Sequence, residues 1–192
     1  FSNNIGCDKF SIKDEIIIKN ESIQIDVNGI AQGFSVDFLS NYFHKKGIFD
    51  YMIEIGGEVY CSGNKQEKKW TLGISNPLKN PSDYLFKVPL NNQALATSGS
   101  TRKINQIGDS IYTHIISPHT FSPIKNNLLS VSVITSNCMD ADAYATAFME
   151  MGLEKSKKFL KSNQLEIELL FIYQDPFSGE IGYFKTEDFN VF

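Results

Sequence analysis

Two stretches of this chain repeat their apolar residues every three or four positions, and a long succession of short strand-like runs separates them. In the first, Ile30, Phe34, Phe38 and Tyr42 recur with Ala31, Leu39 and Phe43 beside them, and Gly47 supplies a stop. That wide apolar stripe predicts a helix facing a sheet. In the second, Ser136 or Asn137 is a credible N-cap, Asp140 and Asp142 fall in the first turns, and Met139, Ala143, Ala147 and Met151, with Phe148, form an apolar face ending at Gly152. Glu154–Ser162 reads as a further, more charged helix. Between the two stretches, strands are expected at Tyr51–Ile55, Val59–Ser62, Trp70–Ile74, Tyr84–Pro89, Ala94–Thr97, Thr101–Gln106, Ser110–Ile116 and Leu128–Thr135. Gly56-Gly57, Asn76–Pro81 and Ile107-Gly108-Asp109 read as turns. Short strands at Glu15–Lys19 and Ser22–Asp26 precede the first helix, and Glu166–Tyr173 with Ile181–Lys185 read as a closing hairpin. This order predicts an α+β fold with a largely antiparallel β-sheet and packed helices.

The 192 residues, 42% of them apolar, suffice for one sizeable core, so residues 1–192 are expected to form a single domain. With 18 Lys and Arg against 22 Asp and Glu, the formal charge is -4, and no dense basic cluster marks a nucleic-acid or anionic-lipid surface. No apolar run approaches the roughly 18 to 20 residues that span a bilayer. Cys7, Cys61 and Cys138 lack any disulfide or zinc spacing and are expected to be small buried or half-buried residues. The chain opens on Phe1 rather than an initiator methionine and reads as the middle of something longer.

Four segments concentrate glycine, carboxylates and small hydroxyl residues at element boundaries, where sites form. Asp26–Gly33 leads from a strand end into a helix N-terminus, a junction that offers backbone amides to an anion and, through Gly29 and Gly33, close approach to the main chain. It equally suits a structural turn. Glu54–Glu58 sets Gly56 and Gly57 between carboxylates, which fits a ligand loop or a plain hairpin. Ala94–Ser100 is a run of small residues, and the following Tyr112–Pro118 places His114 in a strand as a general base, a ligand or a structural histidine. In Asp140–Thr146, Asp142 and Thr146 are four residues apart and share one helix face. A carboxylate, a hydroxyl and main-chain carbonyls are hard oxygen ligands of the kind Mg2+ prefers; the alternative is a dipole-favoured Asp and a Thr bonded to its own helix.

Taken in order, five segments resemble the ApbE family, the FAD:protein FMN transferases. The family pattern Asp-Leu-Gly/Asn-x-Ile-Ala-Lys/Gln-Gly-Tyr is similar to Asp26–Phe34, Asn-Leu-Gly-Gly-Asp to Glu54–Glu58, and Ala-Thr-Ser-Gly to Ala96–Gly99. His-x-Ile-Asp/Asn-Pro-x-Thr-Gly is similar to His114–Phe121, and Glu-Ala-Asp-Ala-x-x-Thr to Asp140–Thr146. The resemblance implies an ApbE-like (T-fold-like) domain, lacking the family's N-terminal portion. It also implies Mg2+-dependent splitting of FAD, with FMN passed to a Thr of a flavoprotein acceptor carrying Asp-x-x-Ser/Thr-x-Ala-Thr and AMP released. Under it, Asp142 and Thr146, with the carbonyls of Gly29 and Ala145, hold the metal. Asp26, Gln32 and the main chain near Ile116 contact FAD, Gly56, Gly57, Thr97, Ser98 and Gly99 line the cleft, and His114 is the base. Water in place of Thr would make the same site an FAD pyrophosphatase, and loss of chemistry would leave an FAD-binding protein.

Three positions depart from the pattern. Ser117 replaces an acidic or amide residue, Gln32 stands where many members carry Lys, and Phe121 replaces a Gly, which implies an altered turn. Asp140–Thr146 also matches the ends of the acceptor motif, but Ala143 occupies its hydroxyl position, so the chain is not read as an acceptor. By analogy the protein is expected in a bacterial periplasm or on the outer face of the cytoplasmic membrane, acting on a membrane redox complex; either the chain is a fragment, or the family's N-terminal part is a separate or proteolysed piece.

Overall fold

The computed structural model describes residues 4–80, 82–99, 104–107, 110–113, 115–124, 126–165 and 167–192, with 104–107 and 110–113 described by their backbone alone. Six strands form the central sheet: β3 (Tyr51–Ile55), β4 (Glu58–Ser62), β7 (Gln93–Gly99), β10 (Leu128–Thr135), β11 (Glu168–Gln174) and β12 (Ile181–Lys185), in the order β12-β11-β10-β7-β4-β3. Every neighbouring pair is antiparallel. Three further hairpins pair β1 (Phe10–Lys13) with β2 (Ile16–Lys19), β5 (Trp70–Ser75) with β6 (Tyr84–Leu90), and β8 (Ile104–Ile107) with β9 (Ser110–Thr113). Helix α1 (Ala31–Lys45) precedes β3, and α2 (Cys138–Met151) and α3 (Leu153–Asn163) join β10 to β11.

The sheet separates two apolar clusters, and strand alternation decides which residue enters which. Ala94 and Ala96 of β7 and Leu169 and Phe171 of β11 meet Ala141, Ala145, Phe148 and Met149 of α2 on one side. Leu95, Leu170 and Ile172 meet Ile74, Val88 and Leu90 of the β5–β6 hairpin on the other. Strand β10 is buried along its whole length because both of its faces are covered. A bulge near Leu128 and Ser130 shifts its register, so that Leu129 and Val131 face opposite clusters despite being two residues apart.

Four expectations are corrected. Ser22–Asp26 forms no strand: the Asn20 side chain takes the Ser22 amide and hydroxyl, and Asp26 takes the Asn28 amide, so local polar bonds replace a ladder. Helix α2 buries Cys138, Ala141, Asp142, Ala145, Phe148 and Met149, a face rotated from the expected one, and Met139 is exposed. Helix α1 buries Gly33, Val36 and Ser40, while Phe34, Phe38 and Tyr42 point outward. Cys61 and Cys138 are buried as expected, but Cys7 is exposed. Strand β1, which the sequence did not announce, pairs with β2 in a hairpin whose Ile12, Ile16, Ile17 and Ile18 are all exposed. The expected turn at residues 107–109 lies largely outside the described residues.

Candidate active site

The site begins at the crossing of α1 and α2. A Cβ on Gly33 would fall on the Cys138 carbonyl, so only glycine permits this approach. Each helix then caps the other. The Asp142 carboxylate of α2 accepts the Gly33 N–H in the first turn of α1 at 3.1 Å. Asp37 of α1 accepts the Cys138 and Met139 N–H groups that open α2, both at 2.8 Å, and the Asn137 side chain takes the Asp140 N–H at 2.8 Å. Amides left unpaired at both N-termini are thereby met by carboxylates lying at the positive ends of the helix dipoles. Asp142 is buried, and that desolvation pushes its pKa above the ordinary carboxylate value, an effect the Gly33 N–H partly opposes.

Behind Asp142 opens a pocket of about 180 Å³, lined by Asn28, Gln32, Gly56, Gly57, Glu58, Thr97, Ser98, Gly99, Asp142 and Thr146. Asp142 and Thr146 reach it from one face of α2, one turn apart. Gly56 and Gly57, at φ +71° and +114°, make the tight turn between β3 and β4, a conformation that favours glycine twice over. A Cβ on Gly56 would also sit 3.1 Å from Gln32 Cγ and 3.2 Å from Glu58 Oε2. The end of β7 supplies the remaining wall, where the Thr97 hydroxyl is tied to that of Ser132 at 2.8 Å across the ladder. Gly29 borders the pocket: a Cβ there would lie 3.7 to 3.8 Å from the Thr146 side chain. A larger cavity of about 590 Å³ shares Gly57, Thr97 and Gly99 with this pocket and runs on beneath the β5–β6 hairpin, past Leu72, Ile74, Asn76 and Tyr84.

The structure thus brings together Gln32, Gly56, Gly57, Thr97, Ser98, Gly99, Asp142 and Thr146, with Gly29 alongside. Three other expected residues stand outside the pocket lining. Asp26 is exposed and accepts the Asn28 N–H at 2.8 Å, which shapes the turn before α1. Ile116 is exposed and bridges to Pro123, outside the pocket lining. The Ala145 side chain packs in the core, which does not bear on the main-chain carbonyl expected as its ligand. His114 lies outside the described residues.

Beyond His114 the chain is held down on α2. The Ser117 hydroxyl donates to the Glu150 carboxylate at 2.6 Å and accepts the His119 N–H at 3.2 Å. Phe121 has φ +54°, the left-handed conformation for which glycine is favoured, and its N–H bonds the Ser117 carbonyl at 2.9 Å. The expected alteration of this turn is therefore a matter of strain, carried by Phe121 in a glycine conformation. Sequence reasoning gave no role to Asn28, Glu58, Glu150 or the residues beneath β5–β6. Glu150 had a signal, since it continues the four-residue spacing of Asp142 and Thr146; the β5–β6 lining had none, because only tertiary packing brings that hairpin over the sheet. Among the described residues no group of three or more His, Cys, Asp or Glu is placed to hold a metal, so any ion here depends on mixed oxygen donors.

Residues 2–171 match the ApbE family. The chain belongs to that family. It is 32% identical over 174 residues to the FAD:protein FMN transferase of Vibrio cholerae serotype O1, a match covering 90% of this chain and 52% of that protein. To the FAD:protein FMN transferase of Escherichia coli K12 it is 29% identical over 156 residues, covering 81% of this chain and 44% of that one. The fold superposes on the flavin transferase ApbE from Vibrio cholerae with a TM-score of 0.83 at 30% identity, covering 98% of this chain and 59% of the other. The apo form of the Pseudomonas stutzeri flavinyl transferase ApbE gives the same TM-score at 27% identity, covering 98% and 57%. The chain spans about half the length of the curated relatives it matches.

Proposed function

We propose that this chain carries the FAD-cleaving site of a flavin transferase, which passes FMN to a hydroxyl of a flavoprotein acceptor and releases AMP. One observation supports this above the others: residues from the first turn of α1, the Gly56-Gly57 turn, the end of β7 and one face of α2 converge on a single pocket. Its donors are carboxylate, hydroxyl and amide oxygens, the set a hard divalent cation takes. The buried amide oxygen of Gln32, which no donor among the described residues meets, fits such an ion. Asp142 and Thr146 would hold Mg2+ with the carbonyls of Gly29 and Ala145. Bound there, the ion would neutralise diphosphate charge and polarise the phosphoryl group under attack.

The chain's own residues divide the remaining work. Gly56, Gly57 and Gly99 keep the walls of the pocket free of side chains, so that a diphosphate can approach the main chain. The adjoining cavity beneath β5–β6, lined by both apolar and polar side chains, offers room for one half of the dinucleotide. Gln32 would contact the other half, and Asp26 and the main chain near Ile116 would do so only with FAD bound beyond the pocket lining. His114 would accept the proton of the acceptor Thr, within an Asp-x-x-Ser/Thr-x-Ala-Thr motif. The Ser117–Glu150 bond holds the chain that follows His114 to the helix bearing Asp142.

Incubation with FAD, Mg2+ and a peptide bearing that motif tests the proposal. Mass spectrometry is expected to find FMN on the peptide and a matching amount of AMP. AMP with free FMN and no adduct would make water the acceptor, and FAD recovered intact would remove the chemistry. Asp142→Ala is expected to lower AMP release by about 10²-fold or more, the usual effect of losing one organised charge at a reacting group.

A further inference from the structure

Gln32 lies in the first turn of α1, and its amide oxygen is buried with no hydrogen-bond donor in reach among the described residues. Buried polar atoms in folded proteins are met by a partner with few exceptions, and the exceptions mark places where something else binds. This oxygen has almost no solvent-accessible area. Among the described residues, the charged side chains of the lining, Glu58 and Asp142, are both acidic.

Gly56 stands between Gln32 and Glu58, with the point where its Cβ would be lying 3.1 Å from the Gln32 Cγ and 3.2 Å from the Glu58 carboxylate. The amide and the carboxylate therefore reach into one corner of the pocket. A dehydrated divalent cation is smaller than water and takes amide and carboxylate oxygens as ligands. We infer that the Gln32 amide oxygen is a donor to the divalent cation of this pocket, acting with Asp142 and Thr146. The inference rests on the cation reading given above and extends it to a side chain placed there only as an FAD contact.

Calorimetric titration of Mg2+ into the full chain without FAD separates these points. Wild type, Gln32→Met, Gln32→Lys, Gln32→Glu and Asp142→Asn are compared, each checked for folding by circular dichroism. Gln32→Met keeps the length of the side chain and removes the oxygen, and it is expected to weaken Mg2+ binding about tenfold or more. Gln32→Lys is expected to weaken it further, and Gln32→Glu to tighten it. Unchanged affinity in Gln32→Met, with binding lost in Asp142→Asn, would overturn the inference: the amide would then be turned to donate its N–H groups to Glu58, leaving the ion to other ligands. If Asp142→Asn binds Mg2+ as wild type does, or if neither binds it, the cation reading itself fails and the role of Gln32 with it.

Discussion

Helices α1 and α2 cross at Gly33 and cap one another, yet they use their large apolar residues in opposite ways. On α2, Phe148 and Met149 are fully buried, and Phe148 meets Phe159 and Phe171 edge-on at ring separations of 5.9 and 6.1 Å. On α1, Phe34, Phe38 and Tyr42 are 56%, 64% and 51% exposed, and its buried stripe is Gly33, Val36 and Ser40. The difference lies in what each helix packs against. Helix α1 meets α2 backbone to backbone, and such an approach selects small residues and turns large ones away. Helix α2 also lies on the sheet, where large side chains fill the space between layers.

The largest expected effect breaks the comparison outright. Phe148→Ala should cost about 3–5 kcal/mol in urea unfolding, the usual loss for a large core residue, while Phe38→Ala should change stability by no more than about 0.5 kcal/mol. Similar losses in both would mean that the outer face of α1 is packed in solution. A smaller loss, about 1–3 kcal/mol, is expected for Gly33→Ala, because a Cβ there meets main chain that cannot move aside alone. Unchanged stability would show that the two helices can separate without cost.

The smallest effect concerns pH. Burial raises the pKa of Asp142 from its ordinary 3.8, so the folded chain holds this proton to higher pH than the unfolded chain does. Its contribution to stability is full below the unfolded value and is lost as the pH rises through the folded one. Asp142→Asn keeps an oxygen for the Gly33 N–H and removes the titration. Without divalent ions, thermal melts should show this variant gaining on wild type from about pH 4 towards pH 7. Added Mg2+ should reverse the order, and a constant difference across that range would assign the raised pKa no part in stability.

Much of this fold is legible in the sequence because it is local. The strand Leu128–Thr135, the Gly56-Gly57 turn and the Asn137 cap each depend on neighbours in the chain, and each appears where the sequence places it. The faces of both helices were misread for one reason. Apolar periodicity reports that a helix is amphipathic, but Gly33, Cys138, Ala141 and Ala145 fix the packed side, and their smallness carries no weight in a count of hydrophobic residues. In the site, Asp142 and Thr146 could be paired from their spacing alone. Their meeting with Gln32, Gly57 and Thr97 needed motifs read together in order, and the cavity beneath β5–β6 needed the fold.

The exchange of carboxylates between α1 and α2 also bears on when the pocket can exist. Gly33 and Asp142 are 109 residues apart, and Asp37 lies 101 and 102 residues from the two amides it accepts. Contacts at such separations form late, after the loop entropy between them has been overcome, and in a growing chain they wait for synthesis to pass residue 142. Until then the first turn of α1 lacks the Asp142 carboxylate that meets its Gly33 N–H, and the oxygens that would hold an ion are not assembled. The pocket is therefore completed only after β3, β4, β7, β10 and the first turns of α2 have all been made.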